Sequence, residues 1–218
     1  MLEMADRLNP KGLVEVFVTK GKPRLINGSM LPSRRGIHRY RSCEIDMKEC
    51  QLLDYFKQEN IILNQGKDRV VETIGSGFFN LIARMAIGDR GALPTDQTIP
   101  KVPTSDMTGL YNEVYRDDVQ STVLDIGTPN THNIKFIRIF SALDVPITSF
   151  SNQANPLVNE VALIMIDPDE APLPRPPVTA PDSPDADERA FSIRTFKSVP
   201  FQAENEISVT IRYTIYIN

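Results

Sequence analysis

The chain has 218 residues, with 24 Lys and Arg side chains against 28 Asp and Glu and a net charge of −4. Proteins that bind nucleic-acid backbones usually carry a basic excess, so this balance argues against that class of partner. No run approaches the roughly 20 apolar residues that a bilayer-spanning helix needs, and the first residues lack the apolar region of a secretory signal. We expect a globular protein that folds in a cytoplasm, with no membrane and no nucleic-acid partner.

The chain has only two histidines and two cysteines, so it has few candidate residues for metal binding or catalysis. Cys43 and Cys50 lie seven residues apart, and His38 precedes them, but these three candidate ligands match no familiar zinc spacing. We interpret the cysteines as two small buried or reduced thiols. His132 is the other histidine, so few residues are suited to acid–base chemistry. The sequence therefore predicts no catalytic residues, no metal and no cofactor.

The N-terminal part predicts one strand and one helix. Val14, Val16 and Val18 alternate with more polar neighbours, which is typical of a half-buried strand. The basic run at 34–41 is interpreted as a solvated face, with an acidic partner or nucleic acid as the alternative. A helix is predicted over 46–58, because apolar residues recur there at helical spacing. They are Met47, Cys50, Leu53 and Phe56.

The middle of the chain predicts two more helices. A turn at 65–68 leads into a second helix, with an apolar stripe from Val70 to Met85. A loop rich in Gly and Pro follows at 86–104; its Gly88–Gly91 element lacks the lysine and spacing of a phosphate-binding loop. A third helix is predicted at about 105–117. Its Glu113 and Asp117 form an i,i+4 carboxylate pair, which we interpret as an exposed ion-paired face and not a catalytic pair.

The remainder predicts strands, at 119–126, 133–140, 157–166, 191–197 and 207–218. The last alternates strictly from Ile207 onward, which predicts one buried and one solvated face. The fold class predicted is α+β: mostly antiparallel β with two or three packed helices and long Pro-rich loops. The predicted domains are an N-terminal strand-and-helix lobe, 1–58, and a β-rich domain, 59–218.

A proline-rich acidic segment interrupts the strands at 167–190. It contains seven prolines and seven acidic residues against two arginines, so it has too little apolar surface to offset the entropy of ordering. We predict an extended excursion rich in polyproline II, acting as a spacer or as an arm on a neighbouring subunit, with a PxxP ligand as the alternative.

Several segments in a defined order carry a resemblance to a known family. They are Ala86–Gly91 (AIGDRG), Leu110–Arg116 (LYNEVYR), Val158–Ile164 (VNEVALI), Ser192–Phe196 (SIRTF) and the final strand from Ile207. In this order they resemble the phage tail-collar fibre family, whose members anchor tail fibres to the baseplate of tailed phages. The resemblance covers roughly residues 60–218. Arg90 and Ala162 stand where the family usually has glycines, and no fibre-shaft repeat is visible within these 218 residues.

The resemblance implies a structural protein of a bacteriophage tail: a baseplate subunit or adaptor that attaches tail fibres, and not an enzyme. It implies a place in the virion tail after assembly in the host cytoplasm, with other tail proteins, the fibre and further copies of the chain as partners. We select seven residues as candidates for contact with those partners. They are Asp89, Arg90, Glu113, Arg116, Pro174, Pro176 and Pro177.

Three other functions remain open at this point. A head–tail connector or neck protein would share the size and the lack of chemistry. A receptor-binding module is the second alternative. A glycan-hydrolysing tail module is the third; it would need two carboxylates facing across a cleft, and no motif indicates such a pair.

Overall fold

A computed structural model of the chain describes residues 11–34, 37–76, 81–128, 131–166 and 189–216. Within these ranges the chain forms fifteen strands, one α-helix and two short 3-10 helices. The strands are β1 (Lys11–Lys20), β2 (Arg24–Asn27), β3 (Met30–Arg34), β4 (Ile37–Tyr40), β5 (Cys43–Asp46), β6 (Gln51–Ile62), β7 (Leu81–Gly88), β8 (Ala92–Leu93), β9 (Asp96–Pro100), β10 (Glu113–Asp118), β11 (Ser121–Thr128), β12 (Thr131–Ser141), β13 (Leu157–Ile166), β14 (Arg189–Pro200) and β15 (Ile207–Tyr216). The helix is α1 (Asn64–Ser76), and the 3-10 helices are Ile147–Ser149 and Ala203–Asn205.

The chain divides into two compact units. Unit 1 consists of Met1–Asn60, Val119–Ser141 and Glu204–Asn218, and unit 2 consists of Ile61–Asp118 and Ala142–Ala203. Both units therefore draw on segments that are distant in sequence. This grouping does not test the predicted domains, 1–58 and 59–218, which stay a prediction. Within the described ranges, no helix is long and apolar enough to cross a membrane.

The sheet of unit 1 is organised around its C-terminal strand. Its order is β6-β1-β15-β12-β11-β4-β3, and β15 pairs antiparallel with both β1 and β12. A separate ribbon, β2 with β5, also belongs to this unit, and the Ser121 hydroxyl donates to Asn27 Oδ1 at 2.7 Å. The alternating pattern of β15 is confirmed, because Val209, Ile211 and Tyr213 are fully buried on one face.

The opposite face of β15 is not solvated, which corrects the prediction of one wet face. Ser208, Thr210 and Thr214 are at most 2% exposed. A buried polar group costs free energy unless it is hydrogen-bonded or paired, and the hydroxyls of Ser208 and Thr210 have no hydrogen-bond partner among the described residues. Arg212, which lies between two of these residues, forms an ion pair on this face with Glu15 of β1.

The Glu15–Arg212 pair is a bidentate contact between neighbouring strands. Arg212 Nε and Nη2 donate to the two Glu15 oxygens at 2.7 and 2.8 Å, and the Tyr55 hydroxyl donates to Oε1 at 2.8 Å. The Arg212 guanidinium also lies 5.5 Å from the centre of the Phe17 ring. Burial raises the pKa of Glu15, but the bonds from Arg212 and Tyr55 outweigh it and the pKa is lowered.

The sheet of unit 2 has the order β10-β7-β13-β14, and the last two residues of β6 pair with β14. The strand β13 is buried along nearly its whole length. The helix α1 packs on β14, and Gly66 permits this approach because a Cβ there would lie 2.5 Å from the carbonyl oxygen of Phe191. One buried cluster of this unit contains Leu63, Ala86, Ala162, Ile164, Ala190 and Ile193.

The predicted fold class, α+β with two or three packed helices, is wrong. Strands account for 62% of the structure, and the described residues contain a single α-helix. The predicted helix at 46–58 is a turn followed by β6, which pairs with β1. Asp46 accepts a bond from the Lys48 N–H at 3.0 Å, so the residue expected to cap a helix closes a turn instead.

The other two predicted helices also differ from the structure. The second is α1, but it ends at Ser76, and Met85 lies on β7. The third, at 105–117, is a loop followed by β10. Its helical spacing has another cause, since Met107 and Leu110 pack from the loop against the buried cluster of unit 2. Pairing between strands overrides local pattern at these sites.

The predicted strands are present. Those at 119–126, 133–140, 157–166, 191–197 and 207–218 overlap β11 to β15, and the first predicted strand is β1. Most of the proline-rich segment lies outside the described residues, as does part of the basic run at 34–41.

The half-buried Glu15–Arg212 ion pair of unit 1 leads to a stability prediction. Replacing Arg212 with Met leaves the Glu15 carboxylate, whose side chain is 10% exposed, without its cation. We expect the free energy of unfolding to fall by about 1–3 kcal/mol in urea titrations near neutral pH. Arg24→Met is the control, because the Arg24–Glu49 pair is 77% and 78% exposed and should contribute little. Equal losses in the two variants would contradict this account.

Candidate functional site

The most unusual polar group in unit 2 is the carboxylate of Glu160, in the middle of β13. Glu160 is 0% exposed to solvent. Oε1 accepts the backbone N–H groups of Arg90 and Asn112 at 3.1 and 2.9 Å, and Oε2 accepts that of Tyr111 at 2.8 Å. One carboxylate thereby binds two loops that are about twenty residues apart in sequence. We call this group of contacts the Glu160 clasp.

A β-bulge lets two successive side chains of β13 serve the same loop. The pairing of β13 with β14 shifts register between Val158 and Glu160, and such bulges redirect side chains. Asn159, also 0% exposed, accepts the Gly91 N–H at 2.6 Å and donates to the Asp89 carbonyl oxygen at 3.1 Å. The loop after β7 is therefore held by both residues.

Glycines make the close approach of this loop feasible. A Cβ at Gly88 would overlap the carbonyl oxygen of Asn112 and would lie 2.5 Å from Glu160 Oε1. A Cβ at Gly91 would lie 2.6 Å from the carbonyl oxygen of Asn159. These distances leave no space for a side chain at either position.

Asp89 extends the clasp to a third segment of the chain. Its Oδ2 accepts the Ser151 N–H at 2.6 Å, and its Oδ1 accepts the Asn112 side-chain amide at 2.7 Å. Arg90 Nε donates to the Ser151 hydroxyl at 3.2 Å. Asp89 and Arg90, which the sequence analysis selected, therefore lie in the same cluster as Glu160.

Glu113 and Arg116 lie next to this cluster on β10. Arg116 pairs with Glu113 through two donors, Nε and Nη2, and the second bond measures 2.8 Å. The expected carboxylate pair on a helix is wrong, because these residues lie on a strand and Asp117 accepts a bond from the Tyr115 hydroxyl at 3.2 Å. The other three selected residues, Pro174, Pro176 and Pro177, lie outside the described residues.

The environment of Glu160 shifts its pKa upward. Burial is the largest cause, the three backbone N–H groups oppose it, and the charge of Asp89 adds to it, with the result that the pKa of Glu160 is about 6. A raised pKa and a buried position are features of catalytic carboxylates. Here, however, both oxygens are engaged by the backbone and the residue has no exposed surface, so the contacts point to a structural role.

Sequence reasoning did not select Asn159 or Glu160 as site residues, although both belong to the VNEVALI segment. The available signal was an adjacent amide and carboxylate in an otherwise apolar run. Such a run predicts a buried strand, and a buried carboxylate requires donors. The identity of those donors is a matter of tertiary structure, because all three are backbone groups of distant loops.

The described part of the chain shows no group of three or more His, Cys, Asp or Glu side chains placed to hold a metal ion. Cys43 and Cys50 are free thiols. Burial is the largest cause of a raised pKa at both cysteines, which disfavours the reactive thiolate.

Comparison of the chain with protein-family models gives no match, and comparison with curated protein sequences gives none either. The resemblance to the phage tail-collar fibre family stays a prediction.

The Gly88 contact predicts that even one methyl group is harmful in this loop. We expect Gly88→Ala to lower the free energy of unfolding by about 1–3 kcal/mol, because backbone and carboxylate atoms must move. Gly109→Ala is the matched control, since a Cβ there meets nothing within 4 Å. Chemical denaturation of the two variants measures the difference, and a Gly88 variant as stable as the control would be inconsistent with the clasp.

The pKa of Glu160 predicts a particular pH dependence of stability. Its folded value of about 6 exceeds the ordinary value of 4.5. The resulting stabilisation is therefore fully present below about pH 4.5 and is lost as the pH rises through about 6. The wild type should lose on the order of 2 kcal/mol over this range.

A variant whose side chain cannot ionise at position 160 isolates this effect. Glu160→Gln should be more destabilised relative to wild type at about pH 4.5 than at about pH 7.5 in urea titrations. The amide should be unfavourable at both values, because its NH₂ group would face the N–H of Tyr111, which now donates to Oε2. Glu59→Gln removes an exposed carboxylate as the control. Identical pH profiles for wild type and Glu160→Gln would refute the shifted pKa.

Proposed function

We propose that the protein is a structural subunit of a bacteriophage tail, acting in the baseplate or as an adaptor that attaches tail fibres. The observation that carries this proposal is the arrangement of the segments that resemble the tail-collar fibre family. Four of them lie on, or directly beside, the neighbouring strands β10, β7, β13 and β14. Segments that are separate in sequence thus form one connected part of unit 2.

The Glu160 clasp supports the same proposal at the level of single contacts. The AIGDRG segment supplies the N–H of Arg90, the LYNEVYR segment supplies those of Tyr111 and Asn112, and the VNEVALI segment supplies the acceptor. A motif whose members bind one another is expected of a fold that presents a rigid surface to partners. The proposed partners are other tail proteins, the fibre and further copies of this chain.

The use of buried polar groups supports a role without catalysis. The pKa of Glu160 is raised, as is typical of a general acid. Its oxygens, however, accept three backbone N–H groups, and the residue is 0% exposed. A general acid must reach the proton acceptor of a substrate. We therefore propose that the carboxylate organises loops and does not act on a ligand.

Immunogold electron microscopy of intact virions tests the proposed function. An antibody against the protein is expected to label the distal end of the tail. Label at the head–tail junction would contradict this and favour a connector, and virions without label would contradict any structural role in the particle.

The proline-rich segment gives a separate prediction within this function. Replacing residues 167–188 with a short Gly/Ser linker keeps Arg189, where β14 begins. Because the segment joins β13 to β14 and is predicted from its composition to be an extended excursion, we expect the thermal unfolding of the purified protein to change little. Incorporation into particles, measured by complementation of a deletion phage and immunoblotting of virions, should fall severalfold. Normal incorporation would show that the segment has no assembly role.

A further inference from the structure

We infer that a surface patch of unit 2 binds the acidic proline-rich segment 167–188 of a second copy of this chain. The patch consists of three exposed apolar side chains and two cations beside the Glu160 clasp. They are Ile99, Val102, Tyr111, Arg90 and Lys101, and we call them the Tyr111 patch. Ile99 is 47% exposed, Val102 80% and Tyr111 38%.

Four members of the patch are linked by direct contacts. The Tyr111 hydroxyl donates to the Val102 carbonyl oxygen at 3.3 Å. Lys101 Nζ lies 4.4 Å from the centre of the Tyr111 ring and donates to the Arg90 carbonyl oxygen at 2.6 Å. The Tyr111 ring and the Lys101 amine are therefore in contact, and each is bonded to the backbone of a further member, Val102 or Arg90. Ile99 lies two residues before Lys101, on β9.

The backbone under the patch is held in place before any partner arrives. The Tyr111 N–H donates to Glu160, and the Lys101 N–H donates to the Gly91 carbonyl oxygen at 2.8 Å. The Lys101 carbonyl oxygen accepts the Thr195 hydroxyl of β14. A surface that is already ordered loses little entropy on binding, which favours recognition of an extended peptide.

The chemistry of the patch matches that of segment 167–188. The segment contains seven prolines and seven acidic residues, with Arg175 as its one basic residue. Proline-rich chains dock on aromatic surfaces because the polyproline II conformation costs little entropy to order. Lys101 and Arg90 supply the positive charge that the carboxylates of the segment require.

The occupant is expected to come from a second copy. Val102 is 80% exposed, so the described residues leave this side chain open to a partner. The segment runs from the end of β13 to the start of β14, in the same unit that carries the patch. Each copy therefore offers one patch and one segment, which allows reciprocal or head-to-tail exchange between copies. This inference deepens the proposed assembly role and rests on it for its biological setting.

Zero-length cross-linking of isotopically mixed protein tests the inference. Full-length chains labelled with ¹⁴N and with ¹⁵N are mixed in equal amounts and treated with a carbodiimide, which joins the Lys101 amine to a nearby carboxylate with loss of water. Mass spectrometry is expected to find Lys101 joined to carboxylates of 167–188, with about half of these products carrying one light and one heavy peptide.

Two variants make the test specific to the patch. Val102→Asp places a negative charge where the acidic segment docks and should reduce the mixed products at least tenfold, and Val102→Ser should reduce them less. Val71→Asp is the matched control, because Val71 of α1 is 65% exposed and lies outside the patch. Circular dichroism checks that all three variants are folded.

Three results would overturn the inference. Products without mixed isotopes would indicate that the segment docks on its own chain, and no product between Lys101 and the segment would indicate another occupant. An unchanged yield in both Val102 variants would remove the patch from the interface. None of these results affects the proposed tail location, which is measured on virions by electron microscopy.

Discussion

The three backbone N–H groups that point at Glu160 are the contact on which the site region of unit 2 depends. They tie the loop after β7 and the loop before β10 to the buried strand β13. Without an acceptor these part-buried donors would be left unpaired, and each would cost at most about 1–3 kcal/mol. The same contact orders Tyr111, whose side chain belongs to the exposed patch. The stability of this region and the position of Tyr111 in the proposed binding surface thus both depend on the Glu160 carboxylate.

The two units bury a glutamate in chemically different ways. Glu15 of unit 1 is paired with the Arg212 guanidinium, and its pKa is lowered. Glu160 is buried, accepts three neutral backbone N–H donors and lies near the charge of Asp89, and its pKa is raised. At Glu15 the hydrogen bonds from Arg212 and Tyr55, together with the Arg212 charge, outweigh desolvation, whereas at Glu160 three backbone donors offset it only in part. The two carboxylates therefore contribute to stability in opposite pH ranges: the Glu15 contribution is lost as the pH falls and the Glu160 contribution as it rises.

Strands were predictable from this sequence where their pattern is local. The alternation in β1 and β15 and the apolar run of β13 indicate their own conformation, whereas the helical spacing at 46–58 and 105–117 does not. In the first case β6 pairs with β1, and in the second a loop crosses buried side chains. Two residues of the site, Asp89 and Arg90, could be predicted because they belong to the AIGDRG segment. Glu160 and Asn159 were not selected as site residues, because their partners are backbone atoms that only tertiary structure brings near.

Native-state hydrogen exchange at single-residue resolution tests the central role of Glu160 most directly. The amides of Arg90, Tyr111 and Asn112 lie outside the regular strands, where exchange is usually fast. We expect these three amides to exchange at rates close to those of the strand β13, and to lose that protection together in Glu160→Ala. Fast exchange of the three amides in the wild type would show that the carboxylate does not hold the two loops.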